Sequence, residues 1–175
     1  AEFENLILNR RVETKAPFIT APVWKACGFP LDSNPTAPIF GGLDLSGVSD
    51  LTALVYIQQL EDKETGYKWH VTPKFWIPGE GIKDKERVEK VPYTTWAEPE
   101  YGYINLVHGT STIEYEYIAE QIMLDVKEGK PIKKIAFDRY NYKHLKPWLK
   151  HVGFKEEDVE GDHSLFVEFG QGFIS

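Results

Sequence analysis

Two short apolar runs, each ending in an aspartate, constrain this chain more than any other feature. Ile39-Phe40-Gly41-Gly42-Leu43 leads into Asp44, and Ile135-Ala136-Phe137 leads into Asp138. Runs of this length and composition predict buried strands. A carboxylate set into such a strand costs several kcal/mol unless it is hydrogen-bonded or holds a cation. Two of them on neighbouring strands therefore predict a metal site.

The rest of the composition narrows the class. At 175 residues with 42% hydrophobic content, the chain is long enough for one substantial core. Its single cysteine, Cys27, excludes a disulfide framework and a cysteine-based zinc site and fits a reducing compartment. No apolar stretch approaches the roughly 20 residues needed to span a bilayer, and no basic-then-apolar leader is present, so a soluble intracellular protein is expected. The sequence starts at Ala1 and stops at Ser175 without a closing element, which reads as a piece of something longer.

A formal charge of -7 argues against a protein that coats nucleic acid, so any phosphate contact must come from a local patch. One run supplies it: Lys133, Lys134, Arg139, Lys143, His144, Lys146, Lys150 and His151, with Asp138 the only acid among them. Arg139, Lys143 and Lys146 are the candidate DNA contacts. A solvated helix face carries equal weight as the explanation.

Residues 1–38 read as a lead-in rich in proline, with one short helix over 22–27 closed by Gly28. Strands are expected over 39–45 and 51–60, joined by the turn-forming Ser46-Gly47-Val48-Ser49-Asp50, and a third over 67–77. A short helix and irregular chain follow over 80–101, then a strand over 103–107. Ser111-Thr112-Ile113-Glu114 has capping-box spacing, and Ile113, Tyr117, Ile118, Ile122 and Leu124 recur at helical intervals up to Gly129. A strand over 132–137 delivers Asp138. A helix over 141–151, kinked or restarted at Pro147, an acidic linker over 156–162 and a strand over 164–169 complete the order.

Three antiparallel strands followed by helix-connected parallel strands, with flanking helices, make a mixed α/β sheet. This element order resembles the ribonuclease H-like fold, where the first acid lies on the first strand and the second ends the fourth, as Asp44 and Asp138 do here. At finer grain, Gly41-Gly42-Leu43-Asp44-Leu45-Ser46 continuing through Asp50-Leu51-Thr52-Ala53 resembles the first nuclease motif of the large terminase subunit of tailed bacteriophages and prophages. Ala136-Phe137-Asp138-Arg139-Tyr140, the closing Phe169-Gly170-Gln171-Gly172-Phe173 and the lead-in from Phe18-Ile19 through Val23-Trp24-Lys25-Ala26-Cys27-Gly28 are similar to that family too.

The resemblance implies a packaging-motor subunit whose ATPase pumps DNA into a capsid and whose nuclease cuts the concatemer. Residues 39–175 would be the ribonuclease H-like endonuclease domain, lacking its last helix, behind a 1–38 linker. Asp44 would bridge two Mg2+ or Mn2+ ions and Asp138 would hold one, since hard cations favour carboxylate oxygens and paired ions promote phosphodiester hydrolysis. Implied partners are double-stranded DNA, the ATPase domain of the same subunit, the small terminase subunit and the capsid portal, in the cytoplasm of a bacterial host. No Walker-type run occurs, so translocation is not expected of these residues. The family's third ligand follows the last strand; Asp162, His163 and Glu168 are the only late substitutes here, and the isolated chain is expected to bind metal weakly and cut weakly or not at all.

Two other readings stand beside this one. A non-catalytic docking or regulatory domain would make both aspartates structural, and an actin-like ATPase begins with a similar Gly-rich hairpin, although 175 residues are too few for its two lobes. Asp50 and Ser46 read as turn residues before ligands. Tyr140 and Tyr142 are candidates to line DNA, His108 reads as a loop residue, and Cys27 is expected to pack.

Overall fold

The computed structural model describes residues 18–28, 36–100, 102 and 104–170. Most of the lead-in, the start of the 103–107 strand and the last three residues of the Phe169–Phe173 match lie outside them. The chain divides after Ser33 into two units. The first contains helix α1 (Ala21–Ala26), which has Pro22 in its first turn and no buried residue. Cys27, expected to pack, is exposed, with its Sγ directed at the Val23 carbonyl 3.4 Å away.

The second unit holds a six-stranded sheet. Its strands are β1 (Ile39–Asp44), β2 (Thr52–Asp62), β3 (Gly66–Pro78), β4 (Ile104–Val107), β5 (Ile132–Phe137) and β6 (Phe166–Glu168), in the spatial order β4-β3-β2-β1-β5-β6. Helices α2 (Ile82–Glu89) and α3 (Tyr93–Trp96) lie between β3 and β4. Helix α4 (Tyr115–Lys127) crosses from β4 to β5, and α5 (Arg139–His151) and α6 (Glu156–Val159) lie between β5 and β6. Only β2 runs against its neighbours, so β1, β3, β4, β5 and β6 all point their carboxyl ends to one edge. This is the mixed ribonuclease H-like sheet expected from the sequence.

Pleat alternation assigns the two faces. Leu43, Leu54, Tyr56, Ile135 and Phe137 pack with Ile118, Ala119 and Ile122 of α4 and Leu145 and Leu149 of α5. Gly41 sits where a Cβ would come within 3.1 Å of Ile135 and 3.3 Å of the Tyr56 ring, so a side chain there would press both neighbours outward by a few tenths of an ångström. On the other face, Phe75 and Ile77 are covered by Ile82 and Tyr93 of the α2–α3 segment. Among the described residues, Phe40, Ile57 and Val71 of that face remain exposed.

Helix α4 departs from its predicted start. Its N-cap is Glu114, not Ser111, and no side chain caps it. Thr110 and Thr112 instead bond to each other, with the Thr112 N–H donating to Thr110 Oγ1 at 3.1 Å, while Ile113 drops into the core. The buried stripe is Tyr115, Ile118, Ala119, Ile122 and Asp125, and the predicted stripe members Tyr117 and Leu124 are exposed. Asp125 is fully buried because it is a hub. Tyr56 donates to its Oδ2 at 3.0 Å, Gln121 donates to Oδ1 at 3.2 Å, and Lys74 and Lys130 pair with Oδ1. Burial, then the Asp125 charge, push the Tyr56 phenol far above its ordinary range. Burial works against the Lys130 ammonium, yet hydrogen bonds to Asp125 and Glu128 still hold its pKa above the ordinary lysine value. Helix α5 begins at Arg139, earlier than predicted, and runs continuously through Pro147.

Candidate active site

From β1 the chain builds outward through β2, β3 and β4, and α4 then carries it back to β5 on the other side of β1. That reversal makes the cleft between the carboxyl ends of β1 and β5 a topological switch point, where ligands bind in open α/β sheets. Leu43 is paired with Phe137, so Asp44 and Asp138, each one residue further, end adjacent parallel strands at the same level. Neighbouring strands lie about 4.8 Å apart. Alternation turns both acids away from the buried Leu43 and Phe137, onto the face opposite α4 and α5.

The predicted burial of these carboxylates is overturned. The strands are buried, but Asp44 is exposed and Asp138 half-exposed, because both sit at strand ends on the face the long helices do not cover. No desolvation cost therefore calls for a cation. What remains is the juxtaposition of two hard oxygen donors with water access, a donor set that fits Mg2+ or Mn2+, which keep several waters and take one or two carboxylates.

Asp138 also begins α5. Its Oδ1 accepts the Tyr140 N–H at 3.0 Å, the N-cap bond that aspartate makes well, and its charge suits the positive end of the helix. The chain after Asp44 is tied down from three directions. Asn141 of α5 donates from Nδ2 to the Leu45 carbonyl at 2.7 Å, the Tyr115 hydroxyl of α4 donates to the Ser46 carbonyl at 2.7 Å, and the Ser46 N–H donates to Thr52 Oγ1 of β2 at 3.0 Å. Burial raises the Tyr115 phenol's pKa, keeping it a donor. Asp50 is a turn residue: its Oδ1 accepts the Leu51 N–H at 2.9 Å, and its carbonyl accepts the Ser46 hydroxyl.

The basic run is less open than its composition suggests. Lys146 pairs with Glu160 and, at 3.4 Å, with Glu156; Lys150 pairs with Glu156; and Arg139 lies 3.6 Å from Glu168. The residues read as an acidic linker contain α6, and Glu156 of that helix and Glu160 at its C-cap supply the partners of Lys146 and Lys150, while Glu168 of β6 faces Arg139. The Lys150 and Lys146 ammoniums hold the Glu156 carboxyl below its ordinary range. Lys143 is exposed and Tyr140 is 79% exposed. Tyr142 is not available to DNA, because its ring stacks on Phe137 at 3.7 Å and its hydroxyl donates to the Val159 carbonyl. Arg139, Lys143, Lys146, Glu160 and Glu168 line a cleft of about 560 Å³ beside the start of α5.

The late acids do not join Asp44 and Asp138. Among the described residues no three His, Cys, Asp or Glu side chains are grouped to hold an ion. Asp162 and His163 are exposed, and Glu168 is level with Phe137, whose pleat direction it shares rather than that of Asp138. Asn141 was missed in the sequence because it is neither apolar nor charged, whereas Tyr115 stands at helical spacing before Ile118, Ala119 and Ile122 and that periodicity could have found it.

No family model matches the chain. It is 33% identical over 171 residues to the "Terminase, large subunit" of Enterobacteria phage HK97, an alignment covering 98% of this chain and 31% of that protein. The crystal structure of the HK97 bacteriophage large terminase superposes with a TM-score of 0.69 at 31% identity, covering 98% of this chain and 32% of that one. The chain thus spans about a third of the length of these relatives.

Proposed function

This chain is a homologue of about a third of a phage large terminase subunit, and on that premise we propose that it is the metal-dependent endonuclease domain of a DNA-packaging terminase. The observation that carries the proposal is the placement of Asp44 and Asp138, each one residue beyond the last β1–β5 pair Leu43 and Phe137, at the switch point of the sheet. On this reading the two carboxylates hold Mg2+ or Mn2+. Ions held there would supply neutralisation of phosphate charge and activation of a water for attack on the phosphodiester.

The chain's own residues bind and orient. Asp138 is aimed by its bond to the Tyr140 N–H through Oδ1, which leaves Oδ2 for a ligand, and Asp44 faces solvent from the neighbouring strand end. Lys143 and Arg139 flank the start of α5, where a phosphate backbone would approach. The substrate is double-stranded DNA. The partners are the ATPase part of the same subunit, the small terminase subunit and the capsid portal, in the cytoplasm of the infected bacterium.

Conversion of supercoiled plasmid in Mg2+, Mn2+ or EDTA tests this. Cutting by the wild-type chain, expected to be weak, should require metal, and Asp44→Asn and Asp138→Asn should abolish it in this chain and in the whole subunit. Cutting by Asp44→Asn at the wild-type rate would refute the assignment. A second reading, a docking domain of the motor, is favoured by the pairing of Lys146, Lys150 and Arg139 with acids of this chain. Absence of metal-dependent cutting by both this chain and the whole subunit would select it.

A further inference from the structure

The geometry points to Asn141 as a positioning residue that sets the spacing of Asp44 and Asp138, an inference that rests on the metal-site reading above. The backbone ladder between β1 and β5 ends at the pair Leu43 and Phe137. Beyond it β5 turns into α5, and β1 loses its neighbour on that side just where Asp44 stands. The Asn141 amide supplies the next link, Nδ2 to the Leu45 carbonyl at 2.7 Å across 96 positions of sequence.

Its place in the helix gives this bond its meaning. Asp138 is the N-cap of α5 and Asn141 is the third residue of its first turn. A side chain there commonly reaches back to the N-cap N–H to close a capping box. Asn141 reaches across to the next strand instead. One rigid helical turn thus carries the second carboxylate and grips the peptide that follows the first. Tyr115 and Thr52 hold the next residue, Ser46, but from α4 and β2, so neither refers Asp44 to Asp138. A side chain that orients ligands from outside the coordination sphere typically changes metal affinity 10- to 100-fold when removed.

The test uses the 175-residue chain and Mn2+ alone, titrated by electron paramagnetic resonance, with amide hydrogen exchange of the metal-free protein followed at Leu45 and Ser46. Asn141→Ala should weaken Mn2+ binding by about 10-fold and speed exchange at both amides. Tyr142→Phe is the control: it removes a side-chain-to-carbonyl bond from the next position of α5, donated at 2.8 Å to Val159 of α6 rather than to the chain after Asp44. It should change neither readout. Equal Mn2+ affinity in Asn141→Ala and Tyr142→Phe would overturn the inference. If the wild type bound no Mn2+ that Asp44→Asn abolishes, the metal-site reading would fall by itself, and exchange would decide for Asn141: faster exchange keeps it as the clamp between the two strand ends, and unchanged exchange overturns that too.

Discussion

Asp44 and Asp138 end adjacent strands at one level, so without a cation each destabilises the other, and the size of that penalty can be worked out. At a strand spacing of about 5 Å and the dielectric of water, two unit charges repel by about 0.8 kcal/mol. At 0.15 M salt, with a Debye length of about 8 Å, roughly half survives. Asp44→Asn, which removes only this repulsion, should stabilise the metal-free protein by about 0.4–0.8 kcal/mol. Asp138→Asn gains the same relief and keeps the N-cap, but gives up about 0.5 kcal/mol of favourable charge at the helix terminus, so it should lie near zero. Asp138→Ala also loses the bond to the Tyr140 N–H and should cost about 1 kcal/mol. The relief is available only once, so the double Asn variant should fall short of the sum of the singles by the repulsion itself, and the shortfall should shrink in high salt. Urea unfolding at pH 7 in EDTA, at low and high salt, reads all four. An additive double variant would mean that the carboxylates are not neighbours, and equal stabilities of Asp138→Ala and Asp138→Asn would mean that the cap is not made. Mn2+ should then reverse the sign for the wild type alone, by about 1.4 kcal/mol at ten times its dissociation constant.

Two further outcomes test the frame around this site. Asp125→Ala should cost about 3 kcal/mol, toward the low end for breaking a buried charge network because Lys74 and Lys130 can turn to solvent, whereas Tyr56→Phe should cost about 1 kcal/mol; their double variant should be less harmed than the sum, and strict additivity in urea unfolding would show that the Tyr56–Asp125 bond contributes nothing. For DNA, Lys143→Ala should weaken binding of every sequence alike and reduce the salt slope by about 1, while Lys146→Ala, whose partner acids are Glu156 and Glu160, should leave binding in place, as salt-titrated fluorescence anisotropy would report; the reverse ranking would contradict the pairing.

The elements readable from the sequence were those whose cause is local. The apolar runs before Asp44 and Asp138 are strands because β-rich stretches bounded by turn residues have little alternative, and the turn 46–50 is closed by its own Ser46 and Asp50. What was misread depends on partners distant in sequence. Helix α4 starts at Tyr115 because Ile113 is claimed by the core, and it buries Asp125 because two strands bring Tyr56 and Lys74 to it, 69 and 51 positions away. The basic run looked open because the acids that neutralise Lys146 and Lys150, Glu156 and Glu160, sit in and at the end of a four-residue helix that composition alone reads as a linker. Asn141 has no sequence signal: its bond partner is a backbone carbonyl 96 residues earlier.

The exposure of the two aspartates, which removes the original reason for expecting a metal, also suits the proposed chemistry better than burial would. A buried acid pair must be satisfied within the protein, by donors or by a permanently held ion, as Asp125 is by Tyr56, Gln121 and two lysines. A site that admits a duplex cannot be enclosed in that way. Its acids must stay hydrated until ion and phosphate arrive, and their geometry must then come from the backbone rather than from surrounding side chains. That is what the carboxyl edge of this sheet supplies: Asp44 is placed by the end of β1 in its ladder with β2, Asp138 by the first turn of α5, and Asn141 ties one to the other without occupying a carboxylate oxygen. The same contrast predicts opposite responses to neutralisation: stability should fall sharply when the charge of Asp125 is removed and rise slightly when that of Asp44 is, although both are single aspartates within one fold.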